Sequence, residues 1–64
     1  MNRQDYLRQQ VKLAKALNSD WSYKAMSEVL NINTHAFYNW LNGAYELSRS
    51  KELELQSLVA DLMP

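Results

Sequence analysis

What this 64-residue sequence has little of narrows its function before any motif is read. It contains no cysteine, which excludes a disulfide framework, a thiolate nucleophile and sulfur-ligated metal. One histidine cannot build a multi-imidazole metal cage. One glycine and one proline leave no flexible linker, low-complexity tract or glycine-rich phosphate loop. No apolar run approaches the roughly 20 residues needed to cross a bilayer, and no signal-peptide pattern begins the chain, so a cytoplasmic protein is expected. Neither a nucleophile–base–orienter set nor paired carboxylates at catalytic spacing is visible. We therefore expect no enzyme, no metal and no cofactor.

Net charge is missing as well: seven Lys and Arg balance seven Asp and Glu. The distribution is uneven, however. Residues 1–24 hold Arg3, Arg8, Lys12, Lys15 and Lys24 against Asp5 and Asp20, an excess of +3. Residues 25–64 hold Arg49 and Lys51 against Glu28, Glu46, Glu52, Glu54 and Asp61, an excess of −3. A positive face can therefore exist on a neutral molecule, although non-specific attraction to a polyanion should be weak. A chain this short buries only about 60% of its unfolded surface, so one small domain of modest stability is expected.

The most informative stretch is Ser22 to Gly43, which reads as two short helices joined by a tight turn. Ser22 is a natural N-cap, and Trp21 with Met26 has the spacing of a hydrophobic staple. Ala25, Met26, Val29 and Leu30 recur at helical period. Asn31 tolerates the left-handed conformation a sharp turn needs, Ile32 plugs the corner, and Asn33 caps the next helix. That helix runs from Thr34 to Asn42 and stops at Gly43.

Its two faces differ. Ala36, Phe37, Trp40 and Leu41 fall within one sector of about 140° at 100° per residue. His35, Tyr38, Asn39 and Asn42 occupy the other side, with Thr34 at the N-terminal edge. Lys and Glu would suffice for solubility. This face instead carries amides, an imidazole, a hydroxyl and a phenol, groups that donate and accept as base edges require. Phe37 and Trp40 are assigned to the core rather than to a ligand-stacking pair.

The segment resembles the helix-turn-helix of the phage repressor and Cro group, the lambda-repressor-like or XRE-type domains. Met26-Ser27-Glu28-Val29-Leu30-Asn31-Ile32-Asn33 is similar to the family run of apolar, small, polar, polar, apolar, Gly, apolar, cap. Phe37 and Trp40 match buried positions of its recognition helix, and Leu41-Asn42-Gly43 resembles its Glu-Asn-Gly ending. Ser27 stands for the usual Ala and Asn31 for the usual turn Gly. The resemblance implies an all-α, four-helix (or five-helix) domain spanning 1–64 with its motif at 22–43. It also implies a transcriptional repressor or autoregulator of phage or mobile-element type, on the nucleoid or in a phage-infected cell. Two copies would bind an inverted-repeat operator in double-stranded DNA. Base contacts carry over to Thr34, His35 and Asn39, with Tyr38 close by. Phosphate contacts carry over to Ser22, Tyr23, Lys24 and Asn42. Asn39 is suited to a bidentate pair with adenine.

The flanking segments support that core. Residues 3–17 form a first helix with Tyr6, Leu7, Val11, Leu13, Ala14 and Leu17 on a broad apolar side. Arg8, Lys12 and Lys15 stack opposite, as a solvated face or as phosphate contacts. Asn18-Ser19-Asp20 is a loop. Ser48 caps a last helix over Arg49–Leu62, whose inward stripe is Leu55, Leu58, Val59 and Leu62. Leu53 lies off the stripe; packing beneath Tyr45 and Leu47 is favoured over a subunit contact. Pro64 follows the last helix and leaves room for the chain to be the N-terminal module of a longer protein. The alternative function is a protein-interaction module, in keeping with two Trp and four Tyr, zero net charge and a recognition helix without Arg or Lys.

Overall fold

The computed structural model describes residues 3–63, so Pro64 and its role as a helix stop lie outside the described residues. Short-range signals set the element boundaries. Ser22 Oγ accepts from Ala25 N at 3.0 Å to open one helix, and Asn33 Oδ1 accepts from His35 N at 2.8 Å to open the next. Ser48 Oγ accepts from Lys51 N at 3.3 Å to open the last. The elements are α1 (Arg3–Leu17), α2 (Tyr23–Val29), α3 (Thr34–Leu41) and α4 (Arg49–Leu62), with no strand among the described residues. The protein is therefore all-α.

Both helices of the central pair end in the same way. Asn31 has φ +58°, Ile32 N donates to Ser27 O at 3.0 Å, and Asn31 N donates to Glu28 O at 3.0 Å. Gly43 has φ +86°, Ala44 N donates to Asn39 O at 2.9 Å, and Gly43 N donates to Trp40 O at 3.0 Å. Each is a Schellman ending, in which a left-handed residue lets its own amide and the next one satisfy helix carbonyls. Asn42 is the cap before Gly43 rather than the last helical residue.

One core joins all four helices. It contains Leu7, Val11 and Ala14 of α1, Met26 of α2, Leu30 after it, Phe37, Trp40 and Leu41 of α3, Leu47 of the loop, and Leu55 and Val59 of α4. In pairwise packing, α2 lies on α3 and α1 lies on α4. Asn18 joins the ends of the outer pair, its side-chain amide donating to Leu62 O at 2.7 Å.

Several side chains expected inside are outside. Tyr6, Leu13 and Leu17 are 63%, 45% and 54% exposed. Leu7, Val11 and Ala14 share a narrow arc of α1, and the other three point about 100° away from it, beyond the reach of the core. Val29 is exposed for the same reason, being rotated off the arc that Met26, Ser27 and Leu30 bury. Leu53 is 47% exposed rather than packed under Leu47, because it points almost opposite Leu55. The inward position beside Leu55 is filled instead by Glu52, which is fully buried.

Glu52 belongs to a polar network centred on Gln4. Gln4 Oε1 accepts from Trp40 Nε1 at 3.0 Å and from Leu47 N at 2.9 Å. Gln4 Nε2 donates to Leu47 O at 3.1 Å and to Glu52 Oε1 at 3.2 Å. The other carboxylate oxygen of Glu52 accepts from Arg49 at 3.1 Å and Gln56 at 3.3 Å. This amide, itself buried, thus ties α1, α3, the loop and α4 together at one point. Burying a carboxylate is tolerable only with such satisfaction.

Candidate nucleic-acid interface

The exposed side of α3 is built by what its other side buries. Phe37 and Trp40 are wholly inaccessible, with ring centroids 5.6 Å apart. Turning about 100° per residue from those anchors puts His35 and Asn42 at the middle of the outward arc, with Tyr38 and Asn39 to either side. Accordingly, His35, Tyr38 and Asn42 are exposed, while Thr34 and Asn39 are half-buried. Among the described residues, the side chains of His35, Asn39 and Asn42 have no hydrogen-bond partner within the chain. Thr34 is anchored, its hydroxyl 3.1 Å from Ser27 Oγ, which also donates to Lys24 O at 2.7 Å. The buried Ser27 hydroxyl therefore couples α2 to the start of α3.

Tyr38 is held by packing. Its ring meets Tyr23 edge to face, with centroids 5.7 Å apart and planes at 85°. Tyr23 in turn lies 6.1 Å from Phe37. The chain of rings thus runs from the surface of α3 to its buried side. Lys15 of α1 places its ammonium 5.3 Å from the Tyr23 ring centre, a cation–π contact. The Tyr23 hydroxyl pKa is raised, first by burial and then by the neighbouring Tyr38. Lys15, Tyr23 and Tyr38 therefore form one patch across three helices. Ser22 and Lys24 flank Tyr23 in sequence and are exposed, as is Lys12 one turn before Lys15. Glu28 follows Lys24 by one turn and moderates the positive character of α2.

Arg8 does not join this patch, which corrects its assignment to a solvent-facing basic stripe. It is buried, with Nε donating to Trp40 O at 2.6 Å, one terminal nitrogen to Tyr45 O at 2.9 Å and the other to Asp5 at 2.8 Å. Its guanidinium also lies 5.2 Å from the Trp40 ring centre. Arg8 therefore caps the C-terminal end of α3, where helix carbonyls and the helix dipole favour a cation. Lys51 does the same for α2, donating from Nζ to Leu30 O at 2.6 Å. Sequence reasoning missed these two caps and the Gln4–Glu52 network. A signal for the latter was present, since Gln4-Leu7-Val11 and Glu52-Leu55-Val59 both follow the i, i+3, i+7 spacing of a buried stripe.

The described residues contain no helix long and apolar enough to cross a membrane and no cluster of three or more His, Asp or Glu able to hold a metal ion. Comparison of the chain with protein-family models, curated proteins and solved structures finds no match to any of them.

Proposed function

We propose that this chain is a sequence-specific double-stranded DNA-binding domain of the lambda-repressor-like type, acting as a repressor or autoregulator with α3 in the major groove. The observation that carries the proposal is the outward arc of α3. Four polar or aromatic side chains, His35, Tyr38, Asn39 and Asn42, face outward from a helix anchored by buried Phe37 and Trp40. Three of them have hydrogen-bonding groups left unused by the chain among the described residues. Lys15 lies beside Tyr23, and exposed Lys12 and Lys24 on the same two helices are available as cations for phosphates. A binder so small and neutral gains useful affinity by presenting two copies to two half-sites, since linking raises affinity without new contacts.

The test is binding of selected and random duplexes across a salt series. Asn39→Ala should lose about 1–3 kcal/mol of discrimination at one base pair while leaving random-sequence binding unchanged. Equal losses on cognate and random DNA would defeat the assigned readout. A second reading, a protein-interaction module, is favoured by a different surface. Tyr6, Leu13 and Leu17 form an exposed stripe on the side of α1 turned away from Lys12 and Lys15. Binding of a partner there would depend little on salt, whereas phosphate-dominated binding falls steeply with it.

A further inference from the structure

We infer that the base pairs read by α3 are A·T pairs, with adenine taken by the Asn39 side-chain amide and thymine by its methyl group against the Tyr38 ring, and with no required guanine. This rests on the DNA-binding reading above and names the class of site it would select. Guanine presents two acceptors, O6 and N7, to the major groove, and the side chains matched to that pair are the multi-donor cations Arg and Lys. From Thr34 to Asn42 there is neither. Nor can the two deeper cations be lent to the groove: Arg8 is held against the end of α3, and Lys51 against the end of α2.

What α3 does present suits the other pair. Adenine offers an acceptor at N7 beside a donor at N6, which an amide meets with its own donor and acceptor. Asn39 carries such an amide with no partner in the chain among the described residues. Thymine is distinguished by a methyl group, which rewards an apolar surface placed beside it. Tyr38 is 46% exposed, and the edge-to-face contact of its ring with Tyr23, itself against Phe37, holds the ring in place. Pre-ordering removes much of the entropy cost of fixing such a ring on binding.

The experiment starts from duplexes selected out of a random pool by the full chain, then alters single atoms in the selected site. Replacing one thymine by uracil should weaken wild-type binding by about 4-fold, the worth of one buried methyl. That sensitivity should vanish in Tyr38→Ala and persist in Tyr38→Phe, which keeps the ring. Replacing one adenine by 7-deazaadenine should weaken wild type by about 5-fold or more, and Asn39→Ala should abolish the difference. An invariant guanine in the selected core would overturn the inference, and so would a uracil penalty unchanged in Tyr38→Ala. Both outcomes leave DNA binding itself standing. Failure to enrich any duplex at low salt would instead remove the DNA-binding reading and this inference with it.

Discussion

Replacing Gln4 by Met tests whether the buried polar network, rather than apolar burial alone, fixes the arrangement of the four helices. Met has about the length and helix propensity of Gln, so neither packing volume nor backbone preference changes much. What is lost are four hydrogen bonds, to Trp40 Nε1, Leu47 N, Leu47 O and Glu52 Oε1. Glu52 keeps Arg49 and Gln56 on its second oxygen, but the other three groups lose this partner. A buried polar group left without a partner costs about 1–3 kcal/mol, so even the low end gives roughly 3 kcal/mol. Domains of this size have total stabilities of about 3–10 kcal/mol. A melting temperature lower by roughly 10–25 °C is expected, or outright unfolding. Fluorescence of Trp21 and Trp40 together with far-ultraviolet circular dichroism during urea unfolding would report it, with the exposed Gln9→Met as control. If Gln4→Met lies within about 0.5 kcal/mol of that control, the network has no structural role and the argument from its geometry fails.

Three other outcomes are expected. Lys12→Ala should weaken binding to all duplexes alike and reduce the salt slope by about 1, whereas Arg8→Met should chiefly lower the unfolding midpoint, since Arg8 is tied to Trp40 O and Tyr45 O; a salt-slope change for Arg8→Met without loss of stability would contradict this division. At Asn31, with φ +58°, substitution by Ala should cost about 1 kcal/mol while Gly is close to neutral, readable in urea unfolding midpoints. Because the folded protein holds the Tyr23 proton more tightly than an unfolded chain does, the stability that this group contributes is intact below the ordinary tyrosine value of 10.0 and declines as pH rises from there through the raised value. Tyr23→Phe should flatten the alkaline limb of a stability–pH profile; an unchanged limb would place its cause elsewhere.

The parts of the fold legible in the sequence were those encoded within a few residues. Ser22, Asn33 and Ser48 each accept from an amide two or three positions on, so their roles as caps follow from local chemistry alone. Asn31 and Gly43 likewise mark left-handed positions that few other residues tolerate. The extent of the apolar faces was less legible. Tyr6, Leu13 and Leu17 continue the hydrophobic side of α1, and periodicity does not say how much of that side a small core can cover. Least legible were contacts made across the chain. Arg8 reaches Trp40 O over 32 positions and Gln4 reaches Glu52 over 48. A basic stripe at i, i+4, i+7 looks the same whether solvent or another helix's carbonyls lie above it. On α3 the division into a buried aromatic side and a polar outer side was readable because Phe37 and Trp40 leave only one face free.

The arrangement also gives a reason for the unusual chemistry of the outer face of α3. The neutral chain has few cations, and it places two of them, Arg8 and Lys51, at the C-terminal ends of α3 and α2. There each meets a carbonyl at a helix end, where the dipole favours positive charge. These contacts stabilise the α2–α3 pair but leave less charge for the proposed phosphate contacts. Lys12, Lys15 and Lys24 lie on α1 and α2, not on α3, so in the proposed complex they would strengthen attachment without reading bases. Discrimination in that complex would then fall to uncharged groups on α3, whose hydrogen bonds are directional and weakly screened by salt. In the proposed DNA complex, raising salt should therefore reduce cognate and random binding together while leaving their ratio nearly constant. A ratio that collapses along with affinity would mean that cations, not the Asn39 amide and the Tyr38 ring, make the distinction.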